Sequence, residues 1–587
     1  MIDPLRATAL ALASTTLMAV TPQETYSAQQ LALLDPTVRM ASLCTGKGGP
    51  QSMRARLALA AAVVQAAPLP SVPLHDDLGK VHFPITTANP LAQRYFDQGL
   101  SYAYGFNHAA AIASFRAGQA ADPNCAMCYW GEAMAHGPNI NAPMDPATNA
   151  RSVALASYAN WLAAKATEPE QALTGAMLKR YSVDPKADRA TLDAAYADAM
   201  LAAARAHPDN DDIAVLAAES AMDTLPWNYW TPDKSPQPRL GEAVQLIETV
   251  YARNADHPQA AHLYIHLMEN GPNPQKAEAA ADRLYPLAPG AGHLVHMPAH
   301  IYYRLGRWKD SMRVNIDAAR ADEAYIKASG DRGLVRYGYY PHNVHFLVTS
   351  AQMAGDMKTA IVEARRLSQI LDPETSAQIA WIQAINAAPY FAASQFAAPG
   401  QVLAMKEPDK RLPYVAAMRH YARATAYANL HNRLSFDREV AAMAKIRGSD
   451  GLKPMIDQGV PATDLILLAE TVARARFASA TGRSNEAIKL YRDAIEVEAR
   501  IPYMEPPFWY YPVHQSLGAA LYRAGKYQEA QEAFTAALAR YPNNGWALYG
   551  LAASERALGR KPFAAAAQAA LGRAWMGDPR WLRMDRL

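Results

Sequence analysis

The chain has 587 residues, of which 50% are hydrophobic and 19% are charged. This composition supplies enough apolar surface for a folded core, so it excludes an intrinsically disordered chain. The 57 basic and 54 acidic residues leave a formal net charge of only +3 and form no long runs. We therefore expect no nucleic-acid partner, because the charge gives no electrostatic footprint for one.

The start of the chain has the pattern of a targeting segment. Two arginines precede a short apolar stretch that ends in small residues, which is the order of parts in a secretory signal. We predict that translation starts at Met53, that residues 53–67 are a signal peptide, and that the protein is periplasmic or secreted. Residues 1–52 are then a doubtful N-terminal extension. The alternative is a genuine extension that carries its own weak signal.

No segment is long enough to span a membrane. The longest strongly apolar stretch, Leu57 to Ala67, has about half of the ~20 residues that a transmembrane helix needs. Residues 68–85, which are rich in proline, are predicted to be a linker.

Cys125 and Cys128 form a C-x-x-C pair. In an oxidising compartment such a pair is plausibly a disulfide. A haem-attachment motif would need histidine next, where Tyr129 stands. A redox-active pair and two buried thiols remain as alternatives.

Helix-pair signals recur from about residue 86 to the end of the chain. Weaker copies begin near residues 92, 126, 211, 258, 292, 341, 417 and 464, and the clearest stretches are 92–159, 258–374 and 464–578. The best copy is 511–544. Its spaced residues are Leu517, Gly518, Leu521, Gly525, Ala530, Phe534, Ala537 and Pro542.

This pattern resembles the tetratricopeptide repeat, in which small residues let two helices approach closely and a proline closes the second helix. The resemblance implies an all-α fold for residues 86–587: a right-handed α-solenoid superhelix of antiparallel helix pairs, with one concave face. Strand signals are absent. Two segments rich in proline and aromatic residues, 224–238 and 387–409, are predicted to be inserted loops.

The resemblance also implies a binding function, because members of this family hold peptides or partner proteins along the concave face. In three consecutive repeats, however, histidines occupy the first-helix positions that face this side. They are seven of the 16 histidines in the chain: His262, His266, His293, His296, His300, His342 and His345.

Seven neutral imidazoles on one wall would each need hydrogen-bond partners, and a shared cation satisfies them better. The i, i+4 pairs place two ring nitrogens on one helical face, as in zinc-site helices. Glu219 and Glu269 fall on the same face and could complete a coordination sphere. We therefore predict a site for one or two transition-metal ions.

Nitrogen-rich ligation suits copper or zinc, and copper is slightly preferred because it binds more tightly. If the protein is an enzyme, its chemistry would be oxidative with copper or hydrolytic with zinc, on a small-molecule or peptide ligand in the groove. The alternatives are a pH-sensitive or anion-binding histidine patch, and a non-enzymatic scaffold for a peptide or partner protein.

Overall fold

The computed structural model of the protein describes residues 72–184 and 186–587. The predicted signal peptide and the residues before it, including Cys44, lie outside the described residues. Within the described part the chain is helical and has no β-strand, and its β-type pairs are two isolated bridges, Asn139 with Ala142 and Trp230 with Pro236. None of the helices described is both long and apolar enough to cross a membrane.

The helices follow one another as antiparallel neighbours along the chain. The first are α1 (Pro90–Tyr104), α2 (His108–Ala121), α3 (Ala126–His136), α4 (Asn149–Leu162), α5 (Glu168–Met177), α6 (Arg189–Ala206), α7 (Asp211–Asp223) and α8 (Leu240–Arg253). Then come α9 (Pro258–Glu269), α10 (Glu278–Leu284), α11 (Gly292–His296), α12 (Pro298–Arg304), α13 (Trp308–Ser329), α14 (Tyr340–Ala354), α15 (Met357–Ile370) and α16 (Pro373–Gln378).

The remaining helices complete the array. They are α17 (Gln383–Asn386), α18 (Ala388–Phe396), α19 (Pro399–Leu403), α20 (Pro413–Asn429), α21 (Arg433–Arg447), α22 (Lys453–Asp457), α23 (Ala462–Ala480), α24 (Ser484–Glu498), α25 (Val513–Arg523), α26 (Tyr527–Arg540), α27 (Gly545–Ala557) and α28 (Lys561–Ala574).

Asparagine side chains begin several of these helices. Asn89, Asn107 and Asn210 each accept a hydrogen bond from a backbone N–H in the first turn of α1, α2 and α7. A cap of this kind satisfies one of the amide groups that have no partner inside the helix. The polar sequence before each helix therefore fixes where that helix starts.

Glycines hold the helix pairs close together. Phe115 of α2 lies between Gly99 of α1 and Gly131 of α3, and a Cβ atom on either glycine would overlap its ring. Gly518 and Phe534 make the same contact between α25 and α26. The glycine and phenylalanine positions of the predicted repeats are thus the points of closest helix approach.

The array is not an open superhelix, because its last helices return to the middle of the chain. The indole Nε1 of Trp308 donates to the carbonyl oxygen of Asn543 at 3.1 Å. The indole Nε1 of Trp546 donates to the carbonyl oxygen of Gln352 at 2.9 Å. These contacts join α13 and α14 to the segment around α27.

Residues 72–85 pack against the helical body instead of forming a free linker. Leu78 and Phe83 are buried, and the backbone N–H of Gly290 donates to the carbonyl oxygen of Asp77 at 2.8 Å. Cys125 and Cys128 are joined by a disulfide at the start of α3.

The two predicted loops differ in outcome. Residues 224–238 are non-helical, as predicted. The loop prediction for 387–409 was wrong, because α18 and α19 lie within it. Their prolines, Pro389 and Pro399, stand in the first turn of each helix, where proline costs no hydrogen bond.

Candidate metal centre

Six of the seven predicted histidines come together in the interior in two groups of three. Triad A is His262, His266 and His293, and triad B is His296, His300 and His342. Within each triad one nitrogen of every ring lies within 4.8 Å of the others. The triads are the groups of this kind in the described part of the chain.

Four helices supply these side chains. The i, i+4 spacing of His262 and His266 places both on one face of α9. Pro298 interrupts the next helix between α11 and α12, since proline cannot donate to the turn before it. His342 follows a turn of π-helix, Val335–Tyr339, which leads into α14. π-Helical turns are frequent at functional sites.

The two triads are neighbours. The ring centroids of His266 and His300 are 5.9 Å apart, and those of His293 and His296 are 6.2 Å apart. The carboxylate of Glu269 lies between the triads. Its Oε1 is 2.8 Å from Nδ1 of His266, and its Oε2 is 2.5 Å from Nδ1 of His300.

Glu269 is fully buried and ionised. Burial alone would raise its pKa, but the charge of His300 and hydrogen bonds from His266 and His300 hold the pKa at about 2. A third group, the hydroxyl of Tyr503, donates to Oε2 at 3.4 Å. An ionised carboxylate can only accept hydrogen bonds, so both histidines must donate to it from Nδ1.

Four buried ring nitrogens of triad A have no hydrogen-bond partner. Nδ1 of His262 donates to Oε1 of Gln259 at 3.0 Å, and this amide is oriented by its Nε2, which donates to Glu219 at 2.9 Å. The Nε2 atoms of His262 and His266 therefore carry lone pairs, and neither has a hydrogen-bond partner. Both ring nitrogens of His293 also lack a partner.

In triad B the Nε2 atoms of two histidines lie opposite each other. Asn315 donates its Nδ2 to the carbonyl oxygen of Ser311 at 2.7 Å, so its Oδ1 accepts from Nδ1 of His296 at 2.6 Å. His300 donates from Nδ1 to Glu269. The two Nε2 atoms of His296 and His300 are nevertheless only 2.9 Å apart. This contact requires a proton or a metal ion between the two nitrogens, because two Nε2 lone pairs at this distance would repel each other.

Burial keeps most of these imidazoles neutral. It lowers the pKa of His262, His293, His296 and His342 well below the usual range, and neighbouring histidines lower it further. Burial also lowers the pKa of His266. The neutral form is the one that binds a metal ion.

The remaining predicted residues lie around the triads. Glu269 orients one histidine of each triad, and Glu219 orients His262 through Gln259. Burial raises the pKa of Glu219 to about 7. His345 lies outside both triads, and burial lowers its pKa to about 3. The groove prediction needs a correction, because six of the seven histidines are buried, His262 at 0% and His345 at 8% exposure, whereas His342 is partly exposed.

Comparison with known proteins bears on the scaffold. A model of the tetratricopeptide repeat family matches residues 511–544. Residues 511–544 are therefore similar to one tetratricopeptide repeat. The match and the helical array agree with the predicted all-α solenoid fold. No curated protein matches the sequence of this chain.

Solved helical-repeat structures align with most of the chain at low identity. A human IFIT1 dimer with m7Gppp-AAAA is 11% identical, covers 84% of this chain and 90% of its own, and has a TM-score of 0.28. Yeast Tom70 is 12% identical over 84% and 94%, with a TM-score of 0.25. The P58(IPK) TPR domain is 14% identical over 80% and 99%, with a TM-score of 0.20. Likeness at this level carries no argument about function.

Sequence reasoning missed three aromatic residues beside triad A, which we call the aromatic wall: Phe106, Trp227 and Tyr339. The ring of Phe106 lies 4.7 Å from that of His262, and the ring of Tyr339 stacks on His293 at 4.5 Å. Trp227 meets the ring of His266 edge-on at 5.2 Å. These residues come from the α1–α2 turn, the loop after α7 and the π-helical turn. Only the unusual aromatic content of 224–238 could have signalled one of them.

Proposed function

We propose that this protein is a tetratricopeptide-repeat scaffold that binds transition-metal ions in its interior, one in each histidine triad. The observation that carries the proposal is the 2.9 Å approach of two Nε2 atoms on rings that both use Nδ1 for a hydrogen bond, beside a second triad whose ring nitrogens lack partners. A proton could fill that gap. That proton would still leave the ring nitrogens of triad A without partners, whereas one metal ion in each triad would give partners to the nitrogens of both triads.

The surroundings support ligation through Nε2. In known metal sites the ligating histidine donates its other ring N–H to a carboxylate or carbonyl, which fixes the tautomer and the ring orientation. Gln259, Glu269 and Asn315 serve four of the six histidines in this way.

The donor set favours copper over zinc. Imidazole binds both ions, and Cu(II) stands above Zn(II) in the affinity order. Three protein nitrogens leave at least one position for water or another ligand, as in catalytic sites. Copper there would support oxidative chemistry, and zinc would support hydrolysis by a bound hydroxide.

Elemental analysis of protein purified without an affinity tag tests this proposal. We expect about two metal equivalents per chain, falling to about one in a His296→Ala, His300→Ala double variant that empties triad B. The matched control is His345→Ala, which removes a buried histidine outside both triads and should retain the full content. Circular dichroism verifies that each variant is folded.

Two results would refute metal binding by the histidine triads. One is less than about a tenth of an equivalent in the native protein after it has been offered Cu(II) and Zn(II). The other is the same content in the double variant as in His345→Ala. In either case the histidines form only a buried hydrogen-bonded cluster.

A second function is binding of a peptide or partner protein, which the repeat match at 511–544 supports. Capture of partners by the immobilised protein, with and without a chelator, separates the two functions. Specific capture that is unaffected by the chelator, from a protein that holds no metal, would favour the scaffold alone. Export remains a proposal that rests on residues 53–67, and N-terminal sequencing of native protein would test it.

A further inference from the structure

A cleft of about 690 Å³ lies beside triad A. Its lining comes from the 138–144 segment after α3, from the start of α6, and from the end of α7 with Pro226. Exposed residues such as Pro143 and Asp184 stand on its lining, so the cleft opens to solvent. Its volume is in the range of small-molecule sites in proteins.

Two residues of the aromatic wall, Trp227 and Tyr339, connect the lining of this cleft to triad A. Trp227 follows Pro226 of the lining, and its indole Nε1 donates to the carbonyl oxygen of Ile140 at 2.9 Å. The same ring meets His266 edge-on. Asn141 of the lining donates to the hydroxyl of Tyr339 at 3.5 Å, and Tyr339 stacks on His293. Trp227 and Tyr339 therefore each contact a lining residue of the cleft on one side and a histidine of triad A on the other.

The lining combines apolar surface with excess negative charge. Ile140, Met144 and Leu192 provide apolar contacts, whereas the charged lining residues are three aspartates and a single arginine. That arginine, Arg189, is already paired with Asp193 at 2.8 Å. A ligand in the cleft therefore meets two carboxyl groups, those of Asp184 and Asp223, that no basic residue of the lining pairs.

One carboxyl oxygen of Asp223 is available to bind such a ligand. Its side chain is 5% exposed, and its Oδ2 pairs with Arg180 at 3.0 Å. Its Oδ1 is buried without any hydrogen-bond partner. Burial raises the pKa of Asp223 well above its usual range, because Arg180 only partly offsets it and Glu219 adds a second negative charge. A cation at Oδ1 would relieve both deficits.

We propose that this cleft binds an organic cation with an apolar body, such as an aromatic primary amine, with its ammonium group at Asp223 and its apolar part against Ile140, Met144 and Leu192. The ligand would then lie on the far side of the aromatic wall from a metal ion held by triad A. This last point rests on the proposed metal function, whereas binding in the cleft does not.

Calorimetry on the metal-free full chain tests the cleft with three probes of nearly equal shape: phenethylamine, 2-phenylethanol and 3-phenylpropionate. We expect phenethylamine to bind at least about tenfold more tightly than the other two, since only its ammonium can donate a charged hydrogen bond to Asp223. Equal binding of the three probes, or no binding of phenethylamine, would overturn the proposal.

Variants locate the binding. Asp223→Asn should abolish the preference for the amine, and Asp184→Asn, at an exposed carboxyl of the same lining, should preserve it. Because Asp223→Asn leaves Arg180 unpaired and could fail to fold, Leu192→Trp is the second variant. It fills the cleft and should block all binding without removing a charge. Unchanged affinity for phenethylamine in folded Leu192→Trp would place the ligand elsewhere.

Metal loading distinguishes the two proposals. With Cu(II) bound, phenethylamine should shift the visible absorption of the copper, and Leu192→Trp should remove that shift. If the wild-type protein holds no metal but still prefers the amine, the proposed metal function fails while the cleft remains. If the metal binds and no probe does, the cleft proposal fails alone.

Discussion

Glu269 is the residue that connects the two triads. One oxygen accepts from His266 of triad A and the other from His300 of triad B, and the carboxylate is fully buried. A buried charge is costly unless its partners hold it, so the two histidines and Glu269 stabilise one another. The same hydrogen bonds set the tautomer of one histidine in each triad.

Glu269→Gln should weaken metal binding at both triads. The amide keeps the size of the side chain but has one oxygen, so one of the two histidines loses its acceptor and its Nε2 can become protonated. We expect affinity to fall by about 10–100-fold, as for other residues that orient metal ligands. Competition with a chromophoric chelator measures this loss.

Glu498→Gln is the matched control for this change. Glu498 is also a buried glutamate, but its contacts are with the backbone of Val513 and with Arg540. Its substitution should leave metal affinity unchanged. Equal losses in both variants would show that Glu269 acts through general stability.

At the scale of helices, the repeat pattern could be predicted because it is local. Gly518 and Phe534 lie in adjacent helices and meet wherever the pair packs, so spacing alone identifies them. The histidine positions followed from the same register. Gln259 and Asn315 could not be found in this way, because their role depends on which side chain a neighbouring helix brings opposite them.

The glycine contacts make a prediction about helix pairing. Gly518→Ala should destabilise the protein by about 1–3 kcal/mol, because its Cβ would overlap the ring of Phe534. Gly572→Ala in α28 meets no atom within 4 Å and should instead stabilise by up to about 1 kcal/mol through helix propensity. Denaturant unfolding of both variants measures these changes, and the same sign in both would contradict the packing argument.

At the scale of the molecule, the sequence indicated neither the closure of the array nor the burial of the histidines. An open solenoid has only contacts between neighbouring repeats, and those leave a repeating signature. The hydrogen bonds from Trp308 to Asn543 and from Trp546 to Gln352 join residues about two hundred positions apart and have no periodic pattern. The predicted concave wall is therefore an interior.

Gly355→Ala tests the closure. Gly355 has a positive φ of 77°, and a Cβ there would collide with the ring of Trp575 from the C-terminal segment. Gly525 has a similar φ of 76° with no atom within 4 Å. Both alanine variants bear the left-handed strain of about 1–2 kcal/mol, and Gly355→Ala should lose about 1–3 kcal/mol more. Equal unfolding free energies would mean that the closure adds no stability.

The hydroxyl of Tyr503 on Glu269 has a consequence for the order of events during synthesis. The six triad histidines all precede residue 343, and Tyr503 is made about 160 residues later. Because chains fold from the N-terminus as they are made, the histidines can meet ions before the later helices cover them. After closure, Tyr503 lies against the carboxylate between the two triads and would hinder the release of an ion. We therefore expect early capture and slow release.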